Sequence, residues 1–226
     1  MNAVVYYSNT GQSELVANYL AKETGFPALR VEDLSNLNYE NLVLVFPVHC
    51  QRTPRVIRDF LGRISTEYLT PVATYGRMCY GNVLYEIQKQ YGHKIAAAAY
   101  LPTKHTYLEG DTFSEFSRLL PLIKKIKNPN EIIIPKSYKN PFADFFPNLR
   151  SRLGVKMIRS SSCTDCGICT EGCPLKAIKN GHTNKKCIRC LRCVSNCTVK
   201  ALSIKTRLPL RLYLKKKQID KTVIYV

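Results

Sequence analysis

The chain has 226 residues, 45% of them hydrophobic, with ten cysteines and 34 Lys+Arg against 16 Asp+Glu, a formal charge of +18. That length leaves room for one ordinary domain and a small one. No run approaches the roughly 18 apolar residues of a membrane span, so no transmembrane segment is expected; the longest apolar stretch, 95–101, is strand-sized. The charge is lopsided, with 18 Lys+Arg and 3 Asp+Glu in residues 150–226 against 16 and 13 in residues 1–149.

From the N-terminus, strand-like runs at 3–7, 28–31, 42–46, 72–75 and 94–101 alternate with helical patterns at 12–23, 54–62, 81–91 and 112–127. Such alternation predicts right-handed crossovers and a parallel sheet covered on both faces. In the first helix Leu15, Val16, Tyr19 and Leu20 share one face. Residues 1–127 therefore make the first expected domain. Residues 128–158, rich in Pro, Asn and basic side chains, read as a linker with a Phe-rich patch at Phe142, Phe145 and Phe146. The cysteine-rich segment 159–206 follows, and 207–226 reads as a basic tail. Within it, 207–214 alternates basic and apolar residues as a strand or partner-facing tail would, and Lys215–Lys217 forms the solvated end.

The first strand runs into Ser8-Asn9-Thr10-Gly11-Gln12-Ser13, after which a helix opens. Hydroxyls and the free amides of a helix N-terminus suit a single phosphate. The chain has neither the Gly-x-Gly-x-x-Gly of a pyrophosphate loop nor the Gly-Lys-Ser/Thr of a Walker loop there. No Lys or Arg precedes Lys22, so neutral donors alone would hold the phosphate. By itself the loop suits a plain polar turn with an N-cap equally well.

Eight of the ten cysteines write one pattern twice: Cys163-x2-Cys166-x2-Cys169-x3-Cys173-Pro174, then Cys187-x2-Cys190-x2-Cys193-x3-Cys197. The repeat continues beyond the sulfurs, since Lys176-Ala177-Ile178 aligns with Lys200-Ala201-Leu202. Three thiolates at three-residue intervals let one short loop wrap three corners of a [4Fe–4S] cubane, and this is the spacing of two-cluster bacterial ferredoxins. Three other readings fit less well. A disulfide framework suits a secreted mini-domain, whereas Met1 leads almost directly into a strand-like run and predicts no signal peptide. Structural zinc favours separated Cys-x2-Cys pairs, and independent structural cysteines would not repeat in register. A segment this small buries too little apolar surface to fold alone, so metal ligation has to supply the stability.

Loop, strand pattern and cysteine segment together resemble the flavodoxin–ferredoxin fusion proteins of anaerobic bacteria and archaea. The resemblance covers almost the whole chain. It implies an α/β fold, a flavodoxin-like doubly wound five-stranded parallel sheet followed by a C-terminal α+β two-cluster ferredoxin domain. By it, one cluster takes Cys163, Cys166, Cys169 and Cys197, and the other Cys187, Cys190, Cys193 and Cys173, each borrowing its fourth ligand across the repeat. FMN is implied at the carboxyl ends of strands one and three, with Ser8, Asn9, Thr10, Gly11, Gln12 and Ser13 around the phosphate. Pro47, Val48, His49 and Cys50 would line one side of the ring, and Thr74, Tyr75, Gly76 and Gly81 the other. This chain departs from its relatives in three places. His49 stands where they often place an aromatic residue, Pro102-Thr103-Lys104-His105 where they tend to carry Pro-x-Asn-Tyr, and Thr198 where the first repeat has Pro174. Tyr75 is then the stacking candidate. His49 reads as a proton donor to reduced flavin or as a plain loop histidine, and Cys50 and Cys79 as redox thiols or as small residues of tight loops.

FMN and cubanes in one chain imply conversion between one-electron and two-electron traffic. The first functional expectation is an iron–sulfur flavoprotein relaying electrons between a ferredoxin-type partner and an acceptor. The alternative is an FMN-dependent reductase with its own small-molecule substrate, favoured by a pocket-forming insertion around 102–111. The basic C-terminal part predicts docking of an acidic electron-transfer protein or reductase. Nucleic-acid binding through that part leaves the N-terminal loop unexplained and is not expected. Oxygen-sensitive clusters predict a reducing cytoplasm, that of an anaerobe.

Overall fold

Strands that are apolar on both faces need helices on both faces, and the computed structural model, which describes residues 1–108, 110–139, 147–215 and 218–226, has that arrangement. In chain order come β1 (Ala3–Tyr6), α1 (Gln12–Thr24), β2 (Ala28–Arg30), β3 (Asn38–Pro47), α2 (Arg55–Leu61), β4 (Ser65–Tyr75), α3 (Val83–Tyr91), β5 (Ala98–Pro102) and α4 (Leu120–Lys127). The five strands pair in parallel in the order β2-β1-β3-β4-β5, the flavodoxin-like doubly wound order. Alternate residues feed opposite layers. Val5, Leu44, Phe46 and Ala98 meet Ile57, Phe60 and Leu61 of α2 and Leu84 and Ile87 of α3. Val4, Val43, Val45 and Ala99 meet Val16 and Leu20 of α1 and Leu122, Ile123 and Ile126 of α4. Each such large apolar side chain contributes about 1.5–3 kcal/mol on burial.

Two expectations for this region are corrected. The helix expected from 112 begins as a 3₁₀ turn at Phe116–Leu119 and becomes α-helical only at Leu120. Pro121 explains the late start, because proline fits the first turn of a helix and not its interior. The expected linker is also structural where it is described. Ile134 is 2% exposed in the core, and the Gln88 amide bonds both the Ile132 carbonyl and the Ile134 amide at 2.9 Å. The Phe142, Phe145 and Phe146 patch lies outside the described residues.

The chain divides into two compact units, one of 1–105, the described part of 109–143 and 218–226, the other of 106–108 and the described part of 144–217. The second unit continues the element order with α5 (Pro147–Gly154), β6 (Val155–Arg159), α6 (Ile168–Glu171), β7 (Ile178–Lys179), β8 (His182–Thr183), α7 (Arg192–Ser195), β9 (Leu202–Thr206) and α8 (Leu208–Leu214). β6 pairs antiparallel with β9, and β7 with β8 across Asn180-Gly181. The sequence repeat is also a backbone repeat. Asp165 and Arg189 hold φ of 54° and 59°, Lys176 and Lys200 48° and 49°. The caps of α6 and α7, Gly167 and Leu191, hold 81° and 63°. Glycine takes that conformation freely, whereas leucine pays steric strain of about 1–2 kcal/mol, so the fold imposes it at Leu191.

After α8 the chain returns to the first sheet as β10 (Val223–Tyr225), antiparallel to β5. The sheet thus has six strands rather than five. The stretch expected as a basic tail holds a helix and an edge strand where it is described; Lys216 and Lys217 of its expected solvated end lie outside the described residues. The alternation in 207–214 misled because Pro209 starts a short helix there.

Candidate functional site

Within the first unit, β1 ends in a loop whose last residue, Gly11, takes φ 84° as the N-cap of α1, and no side chain caps the helix's first amides. An uncapped helix start offers free N–H groups and a favourable dipole to an anion. Beside it, Ser8 and Asn9 are buried, and Ser8 Oγ, Asn9 Oδ1 and Gln12 Oε1 have no hydrogen-bond partner. Buried orphans of this kind cost about 1–3 kcal/mol each unless something binds them. The set mixes a hydroxyl with two carbonyl acceptors, so a fitting ligand brings donors as well as an anion. A phosphorylated polyol chain does both. Glu14, in the first turn, has its carboxylate on the Tyr6 hydroxyl at 2.9 Å.

The loops after β3 and β4 close on this one. Asn9 Nδ2 lies 3.3 Å from His49 Nε2, Ser13 Oγ 2.8 Å from Thr74 Oγ1, and the Val48 amide bonds the Thr74 carbonyl at 2.7 Å. The turn after Pro47 is tight. His49 and Arg52 exchange two backbone bonds of 3.0 Å, with Cys50 and Gln51 between them at φ 50° and 61°. Neither is glycine, and such strain is a feature of functional loops. Gln51 holds the third loop in place: its Oε1 accepts from Cys79 Sγ at 3.1 Å, and a Cβ on Gly81 would come within 2.8 Å of the Gln51 Cβ. No sequence signal pointed to Gln51. The buried setting of the His49 ring pushes its pKa down to about 4, so the imidazole is neutral near pH 7.

Three sequence-based expectations change here. Tyr75 is 2% exposed, lies edge-on to Tyr80 at 5.0 Å, and has its hydroxyl on the Lys221 carbonyl at 2.7 Å. Its ring belongs to the core and offers no stacking face. Ser13 spends its hydroxyl on Thr74, which leaves its backbone for the ligand. Gly76 is covered by His105, which a Cβ there would meet at 2.7 Å.

In the second unit two cavities lie side by side in the repeat. One is lined by Cys163, Cys166, Cys169 and Cys197, the other by Cys173, Cys187, Cys190 and Cys193. Each thus gathers three sulfurs of one repeat and the last sulfur of the other. Among the described residues no three His, Cys, Asp or Glu side chains converge on a single-ion site. The sulfurs line cavity walls instead, which is how one thiolate reaches each corner of a cubane. The Ala177 amide bonds Cys173 Sγ at 3.3 Å, and the Ala201 amide bonds Cys197 Sγ at 3.2 Å. The repeated Lys-Ala has a purpose: the lysine's left-handed backbone is followed by an alanine N–H aimed at sulfur. Burial, then the neighbouring Cys190, Cys187 and Cys173 sulfurs, pushes the Cys193 thiol up to about 12. A thiol so placed ionises only where strong positive charge beside it offsets the burial.

Also in this unit, α5 and α8 meet where Leu210 fills the space above Gly154. Leu149, Leu153, Leu208 and Leu212 stay exposed, in a stretch carrying Arg150, Arg152, Arg207 and Arg211. No helix among the described residues is long and apolar enough to cross a membrane.

No family model matches the chain, and no curated protein does. Among solved structures it is similar to one described as a short-chain flavodoxin associated with a bacterial microcompartment. The identity is 16% and the TM-score 0.43, over 56% of this chain and 96% of that one. The assignment of a doubly wound sheet stands on strand order and crossover pattern alone.

Proposed function

We propose that the chain is an iron–sulfur flavoprotein that relays electrons between an acidic, ferredoxin-type partner and an acceptor through two [4Fe–4S] clusters and FMN. The observation that carries this reading is the pair of cavities, each lined by the four cysteines that cross-ligation requires. Cys163, Cys166, Cys169 and Cys197 would hold one cluster, and Cys187, Cys190, Cys193 and Cys173 the other. The N-terminal loop fits a flavin monophosphate by its uncapped helix start and its orphaned Ser8, Asn9 and Gln12 atoms. Thr10, Gly11 and the Ser13 backbone complete that loop, while Pro47, Val48, His49, Cys50, Thr74 and Gly81 would border the ring. FMN exchanges electrons in pairs or singly and each cluster one at a time, which makes such a chain a converter between the two. The exposed leucines and arginines of α5 and α8 would receive the partner. For a reductase with its own substrate, the 102–111 segment would have to open a pocket. Its first residues instead continue β5 alongside β4, with the Thr103 amide on the Tyr75 carbonyl at 2.8 Å.

Anaerobic purification tests the reading. It should give about eight irons and eight sulfides per chain, together with one FMN. Zinc in their place, or FAD instead of FMN, would overturn it. Ser8→Ala with Asn9→Ala should weaken FMN binding by roughly tenfold or more, at about 1 kcal/mol or more per lost hydrogen bond. Unchanged affinity would move the flavin elsewhere.

A further inference from the structure

We propose that the two cysteine cavities hold clusters of unequal potential, and that an electron comes to rest in the one lined by Cys173, Cys187, Cys190 and Cys193. This deepens the iron–sulfur reading above and rests on it. The argument compares residues that the 24-residue repeat makes equivalent. Asp165 and Arg189 occupy the same loop position with nearly the same φ, and each lines its own cavity. Their charges are opposite. Asp165 lies 3.9 Å from Cys163 Sγ and takes Arg159 Nη2 on both carboxylate oxygens at 2.8 Å. The first cavity therefore sees a closed ion pair with no net charge. In the second, the residue equivalent to Arg159 is Thr183. Arg189 donates to Thr183 Oγ1 at 3.0 Å and to the Val155 carbonyl at 3.1 Å. Both partners are neutral, so a whole positive charge stays at that wall.

Hydrogen bonds to sulfur tune cluster potentials. The two backbone bonds, Ala177 to Cys173 and Ala201 to Cys197, differ by only 0.1 Å and do not separate the sites. Solvent exposure works against the proposal, because water favours the extra negative charge of the reduced form. That difference touches one sulfur of the four, since Cys166 alone among the eight is exposed. A full unit of fixed charge beside the second cavity outweighs it. Reduction adds negative charge, which Arg189 stabilises in the reduced more than in the oxidised form. The exchange is one electron leaving the first cavity's reduced cluster for the second's oxidised cluster. No bond forms or breaks, and no proton moves.

The test is a redox titration of the whole chain with dithionite, followed by EPR of each reduced cluster. Cys163→Ser identifies the first site by perturbing its signal. The parent should reduce in two steps that differ at least about tenfold in electron partition, about 59 mV for one electron. Arg189→Gln should move the second site's step down towards the first and leave the first in place. Arg189→Lys keeps the charge without the fork and should preserve the separation, which a merely structural role for Arg189 would not. Should Arg189→Gln fail to hold iron, Asp165→Asn provides the same test from the other side. Freed of its carboxylate partner, Arg159 should raise the first site's step. Coincident steps in the parent, or an Arg189→Gln shift at the first site, would overturn the proposal. Failure of the underlying reading looks different: no iron and no cluster signal even in the parent.

Discussion

In the first unit Val4, Leu44 and Ala97 are 0% exposed and lie in two continuous apolar layers. In the second, only seven apolar residues among those described are buried, from Val155 to Leu214, and none belongs to either layer. Its interior is largely the two cysteine cavities. A sheet with both faces covered is stabilised by apolar burial whatever it binds, whereas a unit of this size with so little core depends on ligation. The same contrast fits the chemistry proposed for each. One unit is a platform that presents loops, and the other would be built around the clusters proposed for it.

The strongest way to break that comparison is to remove the metal. Chelation under anaerobic conditions should leave the β1, β3 and β4 amides slow to exchange and release those of the β6–β9 pair nearly completely, because metal binding and folding are one equilibrium in such sites. Protection of β6 and β9 that survives chelation would show that the second unit folds by its own core. Core truncation probes the other side. Leu44→Ala should cost the first unit about 2–5 kcal/mol in urea unfolding without changing the iron content per chain. Iron lost along with the β-sheet would mean the two units do not stabilise separately.

The comparison also explains what was legible in the sequence. Apolar runs of β1, β3 and β5 announce a buried parallel sheet because both faces are covered and nothing dilutes the pattern. The repeated cysteine spacing was legible because it is a local pattern, whereas which last cysteine joins which triplet came only through the resemblance. β10 was not, since three residues at the chain's end carry no period and their pairing with β5 is purely tertiary. Nor was the fate of Tyr75: an aromatic residue after a strand suits a ligand face and a core equally, and the Lys221 carbonyl that claims its hydroxyl lies 146 residues away. Gln51 was hidden for a related reason. A non-glycine residue at φ 61° gives no compositional warning, because the surrounding loops impose the strain.

A smaller effect sharpens the contrast through pH. His49 and His105, both in the first unit, are pushed down to about 4 by burial, against about 6.5 in an unfolded chain. Between those values the unfolded state takes up protons that the folded state refuses. Stability is therefore full above about pH 6.5 and falls as the pH drops towards 4, by on the order of 1 kcal/mol per histidine once partial exposure is allowed for. His49→Gln and His105→Gln should each flatten the urea midpoint's dependence on pH in that window. A midpoint slope unchanged by both would show that neither ring is kept neutral by the fold.

The smallest effect expected is at the seam where the chain re-enters the first unit. Tyr75 accepts the Lys221 amide at 3.1 Å while donating its hydroxyl to the Lys221 carbonyl at 2.7 Å, so one side chain satisfies both backbone groups of that residue. Arg77 adds an ion pair to Asp220 at 3.0 Å, but its partly exposed geometry makes it worth little. Tyr75→Phe keeps the ring's packing against Tyr80 and removes only the hydroxyl, leaving the Lys221 amide and carbonyl without their partner. The expected cost is about 1 kcal/mol, confined to the segment leading into β10. Hydrogen exchange should read it as amides of Val223–Tyr225 opening several-fold faster, with β1, β3 and the iron content untouched. If β10 exchanges as slowly as in the parent, pairing with β5 alone holds the strand. If β1 loosens with it, the edge strand is part of the core's cooperative unit and not an addition to it.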